Sequence, residues 1–254
     1  MSFKIYTDSI TEEHSNNLFR YVLKVCNFYK PNCFKDYEHY PDKWMDKNFV
    51  SSMIVLRKSK ALFSSIYDTI QLSNQLQKIP FENNFENIAS DFLKINKENL
   101  SLRGIQFRMD FPNDSRNSYG WHQDNAYDQH NINSTNGAVL WLPLINTNEE
   151  NGTLEIKPGS ELSSFDCSEK VSSGDKYRSE QILVQKKYLD KYPSRSVDVK
   201  KNNSLVTYCG IFHRSGINIS NHILIYKKKT LYKRGFLIYY QSIRIPTYKF
   251  LLQK

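Results

Sequence analysis

Two hydrophobic rhythms divide the chain. Through the first hundred residues apolar positions recur at helical spacing; beyond them they fall into short runs separated by turn residues. Leu18, Phe19, Val22, Leu23 and Cys26 mark one face of an amphipathic helix over roughly 10–27, and Ser9-Ile10-Thr11-Glu12 ahead of them has capping-box spacing. Pro31 to Pro41, aromatic and turn-rich, predicts an ordered loop, and Phe49 to Leu56 a short strand. From about 59 to 78, Leu62, Phe63, Ile66, Ile70 and Leu76 line a second helical face, and Phe85, Ile88, Phe92 and Leu93 predict a third helix around 85–96.

The rhythm changes near residue 101. Strand-like runs follow at Leu102 to Phe111, Gly120 to Asp124, Ala138 to Ile145, Thr153 to Lys157, Gln181 to Val184, Ser204 to Tyr208, Ile223 to Tyr226 and Phe236 to Ile243. Pro112-Asn113-Asp114, Asn136-Gly137, Asn151-Gly152 and Pro158-Gly159 punctuate them as turns. The pattern predicts a mainly β protein, a barrel or sandwich over 101–245 with a helical part, 1–100, packed on it. Amphipathic helices need a sheet to cover, so 1–254 is expected to form one domain.

Composition sharpens this only a little. Aromatic residues make up 14% of the 254, which argues for a folded, β-rich chain. Cys26, Cys33, Cys167 and Cys209 are far apart and form no C-x-x-C pair, so a reducing cytosol is expected rather than a disulfide framework or a thiolate zinc site. The first residues lack the apolar core of a secretory signal, and no run is apolar enough to cross a membrane. A soluble, cytoplasmic protein without a membrane partner is the expectation. The net charge of +9 owes much to Lys227-Lys228-Lys229 and Lys233-Arg234. A solvated basic hairpin accounts for that run more simply than a nucleic-acid surface does.

The candidate chemistry lies in Tyr119-Gly120-Trp121-His122-Gln123-Asp124. On a strand, residues two apart share a face, so His122 and Asp124 project together and Gln123 projects away. An imidazole and a carboxylate are two-thirds of the 2-His-1-carboxylate set that holds non-heme Fe(II) with positions left open. His213, 91 residues further on, is the candidate third ligand. His14, His39, His130 and His222 are expected to be surface or packing residues.

Trp121-His122-Gln123-Asp124, Trp141-Leu142-Pro143-Leu144, Asn148 to Leu154, Pro158-Gly159-Ser160 and His213-Arg214-Ser215-Gly216 follow one another in an order that resembles the phytanoyl-CoA dioxygenase family. The resemblance covers about 100–245. It implies a double-stranded β-helix, or jelly roll, and an oxygenase that uses Fe(II), 2-oxoglutarate and O2. His122, Asp124 and His213 would then hold the iron, and decarboxylation of 2-oxoglutarate to succinate would drive hydroxylation of a C–H bond. Because Asp124 is a carboxylate rather than a small residue, no halide site is offered, and hydroxylation is expected rather than halogenation.

The resemblance also implies cosubstrate contacts. Gln106 matches a polar residue near the metal-bound end, Trp141 an aromatic on the strand after the metal motif, and Ser215 a hydroxyl beside the far carboxylate. The family's arginine, about ten residues beyond the second histidine, is missing: Ile223-Leu224-Ile225 stand there. Arg234 is the expected replacement, brought into register by an inserted Ile223 to Lys233 hairpin, with Lys227, Lys228 and Lys229 as alternatives. Arg108 shares the face of Gln106 and is expected to meet the cosubstrate or an anionic substrate, unless it faces solvent. Ser160 to Arg178 reads as a long loop at the barrel mouth. A mouth rich in Asn, Gln and Tyr suits a small polar substrate. The alternatives are a jelly-roll binding protein that has lost catalysis and, further off, a nucleic-acid-modifying oxygenase.

Overall fold

The computed structural model describes residues 1–35, 43–114, 118–127, 135–163, 167–171 and 181–233, with the backbone alone at 102–104 and 229–233. His39, His130, Arg234 and the strand expected at Phe236 to Ile243 lie outside the described residues.

Strand β1 (Phe3–Tyr6) leads into α1 (Glu12–Tyr29), which starts two residues later than the apolar spacing alone places it. Thr11 is the cap, its hydroxyl accepting from the His14 amide at 3.2 Å. Ser9 cannot cap, because its buried hydroxyl lies 2.7 Å from that of Ser204. The run from Phe49 to Leu56, expected as a strand, lies inside α2 (Lys47–Lys58). There the Asp46 carboxylate accepts from the amides of Asn48 and Phe49, and buried Phe49, Met53 and Leu56 keep a helical period. The helix expected over 59–78 divides into α3 (Lys60–Gln71) and α4 (Asn74–Gln77), because Ser73 opens a new turn by accepting from the Leu76 amide. Then come α5 (Ile79–Glu82) and α6 (Phe85–Leu93).

The β part comprises β2 (Leu100–Asp110), β3 (Gly137–Pro143), β4 (Leu154–Lys157), β5 (Ser168–Val171), β6 (Gln181–Val184), β7 (Arg195–Ser196), β8 (Ser204–Tyr208), β9 (Phe212–Ser215) and β10 (Leu224–Lys233), with α7 (Lys186–Leu189) between β6 and β7. Five strands form an antiparallel sheet in the order β1-β8-β3-β10-β2, and three form a smaller one, β7-β4-β9. A bridge from His122 to His213 continues the smaller sheet. This is the jelly roll that the sequence predicts, with helices laid on the larger sheet. Helices α3 and α4 lie against β2, and α6 against β3. One hydrophobic cluster joins them, from Leu18, Phe19 and Trp44 through Phe107 to Leu142 and Ile225. Part of the expected mouth loop is instead β5, paired with β6.

Strand β10 departs most from expectation. It is no hairpin but ten residues of one strand, paired with β2 on one side and β3 on the other. Its alternation turns Tyr226 and Lys228 into the barrel. Lys227 projects from the opposite face, among the helices, and is 1% exposed. Lys227 and Lys228 are therefore not solvated surface residues.

Candidate metal centre

His122 and His213 face each other across two antiparallel stretches, each amide donating to the other's carbonyl, at 2.9 and 3.0 Å. Their rings are stacked obliquely, centroids 4.1 Å apart. Each ring is held by the carbonyl two residues earlier: His122 Nδ1 lies 2.8 Å from Gly120 O, and His213 Nδ1 3.0 Å from Ile211 O. A carbonyl can only accept, so each Nδ1 carries the hydrogen and each Nε2 keeps a lone pair for the cavity. This second partner, shared in form by both rings, is a backbone feature that no side-chain motif announces.

Asp124 does not extend the strand as expected; it opens a short 3-10 turn, Asp124–Tyr127. Its carboxylate still shares the cavity with both imidazoles, Oδ1 lying 3.6 Å from His122 Nε2 and 3.7 Å from His213 Nε2. These separations are too long for hydrogen bonds. Gln123 points the other way, as alternation requires: it donates to Gly210 O at 2.9 Å and accepts from Ser168 at 3.1 Å, tying the motif to the turn before β9 and to β5. Trp121 is outside too, clasped between Lys157 and Arg214.

The residues fit a metal ion. One ligand atom from each of the three lies within 4.8 Å of the others. Asp124 Oδ2 and His213 Nε2 are buried without any hydrogen-bond partner, a costly state for polar atoms unless an ion completes it. Burial, helped by the proximity of His122, pushes His213 down to about 3, which keeps the imidazole in its neutral, ligating form. Burial opposes the charge on Asp124, but the Lys228 ammonium beside it outweighs this and holds the carboxyl well below its usual range.

The cavity next to these ligands measures about 210 Å³ and is bounded by Gln106, Arg108, Tyr119, Tyr127, Trp141, Ser215, Tyr226 and Lys228, among others. Gln106, Trp141 and Ser215 are thus brought beside the three ligands. Ser215 Oγ accepts from the Tyr119 amide at 3.3 Å, and Trp141 packs on Tyr226 with centroids 5.1 Å apart. Ser215 owes its place to a close backbone crossing. A Cβ on Gly216 would stand 2.4 Å from Thr153 O, and Gly152 turns the chain there at a φ of +86°. The Asn148 and Asn151 side chains exchange hydrogen bonds with each other's amides, at 2.9 and 3.0 Å, and hold this loop.

Two residues matter more than the sequence suggests. Lys228 donates to Asp124 Oδ1 at 2.6 Å, so an ammonium already sits at the metal end of the cavity. Tyr226, on β10 directly opposite Arg108 of β2, forms part of the cavity wall. The parity of β10 would have found both, had the run been read as one strand. His14 bonds the Thr11 hydroxyl and lies outside this centre, and Glu82 is 3.2 Å from its other nitrogen.

A jelly roll with two histidines and an aspartate converging on its inner face defines a recognisable class of protein. The sequence model of the phytanoyl-CoA dioxygenase (PhyH) family matches residues 25–224, and the chain belongs to that family. No curated protein sequence matches it. Solved structures are similar in fold at low identity. EvdO2 from Micromonospora carbonacea var. aurantiaca, complexed with 2-oxoglutarate, superposes with a TM-score of 0.57 at 14% identity, covering 94% of this chain and 89% of that one. The non-heme monooxygenase ThoJ gives 0.56 at 17%, over 91% and 74%. The epimerase SnoN, in complex with Fe3+, alpha ketoglutarate and nogalamycin RO, gives 0.54 at 10%, over 92% and 82%.

Proposed function

We propose that the chain is an Fe(II)- and 2-oxoglutarate-dependent oxygenase that hydroxylates a C–H bond of a small polar metabolite and converts 2-oxoglutarate to succinate. The observation that carries this reading is the pair of buried, partnerless ligand atoms, Asp124 Oδ2 and His213 Nε2, beside a cavity that also holds Gln106, Trp141 and Ser215. Family membership and the cosubstrate present in the EvdO2 and SnoN structures support it. With iron bound, a chelated keto acid and O2 supply the oxidising chemistry on the face the three ligands leave open.

The chain's own residues bind and orient. His122 and His213 offer Nε2 because backbone carbonyls fix Nδ1, and Asp124 supplies the negative charge. Gln106 on β2 and Trp141 on β3 flank Lys228 on β10 in one cross-strand row, which gives the metal end of the cavity two donors and an aromatic wall. Ser215 offers a hydroxyl to the far carboxylate. Arg234, expected there too, lies outside the described residues. The polar groups lining the cavity support a polar substrate. The phenols of Tyr119 and Tyr127 give that substrate polar partners.

The test is an anaerobic titration of the Fe(II)-loaded protein with 2-oxoglutarate, followed by admission of O2. A weak visible charge-transfer band, then succinate and a product that has gained one oxygen, is the expected result. Iron binding without the band would overturn the reading. Succinate formed with a rearranged product of unchanged oxygen content would keep the cosubstrate and reject hydroxylation.

A further inference from the structure

The barrel holds a second inward cation, and it comes from a strand other than the expected one. On β10 alternation puts Leu224, Tyr226 and Lys228 on the inward face, of which Tyr226 and Lys228 line the cavity with His213; across from the three on β2 stand Asp110, Arg108 and Gln106. The place where the resemblance predicts an arginine is therefore apolar, and the residue opposite its neighbour is Arg108. Arg108 lines the cavity, 15% exposed, with its guanidinium carbon 5.1 Å from the centre of the Tyr119 ring. The amide of that same Tyr119 donates to Ser215. Asp110 balances the arginine's charge from 4.0 Å and takes a hydrogen bond from the Tyr226 hydroxyl.

We infer that Arg108, together with Ser215, clamps the far carboxylate of 2-oxoglutarate, so that β2 supplies the charge which the resemblance places on the last strand. The inference rests on the function proposed above. Three points favour Arg108 over Lys227 and Lys228. Lys228 contacts Asp124 at 2.6 Å and so belongs to the metal end, whereas a dicarboxylate chelated there must present its other carboxylate some distance away. The Arg108–Tyr226 row is two residues, roughly 7 Å, further along the sheet. Lys227 faces the helices. A guanidinium also matches a carboxylate with two parallel hydrogen bonds, which an ammonium cannot do.

The experiment uses the full chain loaded with Ni(II), which does not support turnover, and compares 2-oxoglutarate with 2-oxopentanoate by calorimetry. The second probe keeps the keto acid and lacks the far carboxylate. Wild type is expected to prefer 2-oxoglutarate. Arg108→Met should weaken 2-oxoglutarate roughly 10- to 100-fold, the loss of a hydrogen-bonded charge pair, and leave Ni(II) and 2-oxopentanoate binding unchanged. Because Asp110 would lose its foremost counter-charge, Arg108→Met/Asp110→Asn and Arg108→Lys are measured beside it, with circular dichroism to establish folding. Undiminished 2-oxoglutarate affinity in a folded Arg108→Met variant overturns the inference and leaves the proposed function standing. A wild type that binds Ni(II) but neither keto acid brings down both.

Discussion

Lys227 gives the sharpest test of the sheet–helix packing, because it places an amine where a hydrocarbon belongs. It lies between Phe107 of β2 and Leu142 of β3, is 1% exposed, and its Nζ has no hydrogen-bond partner. Burial alone pulls its pKa from 10.5 down to about 7. At roughly 1.4 kcal/mol per unit, this displacement is worth about 5 kcal/mol against the folded state. The sign follows from where the proton sits. Below pH 7 the native and unfolded chains both hold it, and the native chain bears the whole penalty. Between 7 and 10.5 the unfolded chain holds a proton that the native chain has shed, so stability rises with pH; above 10.5 the penalty is gone. Lys227→Met keeps the volume and removes the amine. The variant should be more stable by up to about 5 kcal/mol at pH 6.5, with the gap closing as pH climbs toward 10. Urea unfolding of both proteins at several pH values, with unchanged m, measures the gap directly. Tyr67 and Tyr226, whose pKa values burial raises, are common to both proteins and cancel. A gap that stays constant with pH, or a variant less stable than wild type, would refute the placement of Lys227 in the core.

Other consequences concern the centre itself. His213→Ala removes a ligand whose Nε2 has no protein partner, so Co(II) binding by equilibrium dialysis should be lost while the circular dichroism spectrum stays native. Lys228→Met strips the metal-free protein of the cation on buried Asp124 and should cost it roughly 3 kcal/mol. With Ni(II) present the deficit should shrink, because the ion takes over the charge; equal deficits with and without metal in thermal scans would contradict this. Gly216→Ala drives a Cβ to 2.4 Å from Thr153 O and should destabilise the fold by roughly 3 kcal/mol. Its weaker 2-oxoglutarate binding, read by the same calorimetry, would follow from displacement of Ser215.

The sequence carries the jelly roll and the three ligands well, and the reasons are local. His122 and Asp124 stand two residues apart whether or not the strand continues, so the pair survives the turn that begins at Asp124. Gln106, Trp141 and Ser215 sit on strands whose apolar neighbours set their parity, and each lines the cavity. What failed was local as well. The run from Phe49 to Leu56 suits either period when short, and the Asp46 cap decides it for helix. Thr11 displaced Ser9 as the cap because Ser204, far off in the chain, claims the Ser9 hydroxyl.

Strand β10 shows how a charged run conceals a strand. Lysines at three successive positions look solvated, since lysine is seldom buried without a partner. Here the strand is central in its sheet, with one face packed in the hydrophobic cluster shared with the helices and the other turned into the barrel, so both faces are covered. Alternation then gives adjacent lysines opposite fates. Lys227 enters a hydrocarbon layer that does not hydrogen-bond it, and Lys228 meets the carboxylate that serves the metal. The same alternation leaves Leu224 and Tyr226 facing inward near Ser215, which denies β10 a cation at the far end of the cavity. A sheet can deliver a side chain to one point from either of two adjacent strands, because residues directly opposite stand only about 5 Å apart. Arg108 stands on β2 directly opposite Tyr226, so a cation absent from the inward face of β10 there is supplied by the adjacent strand.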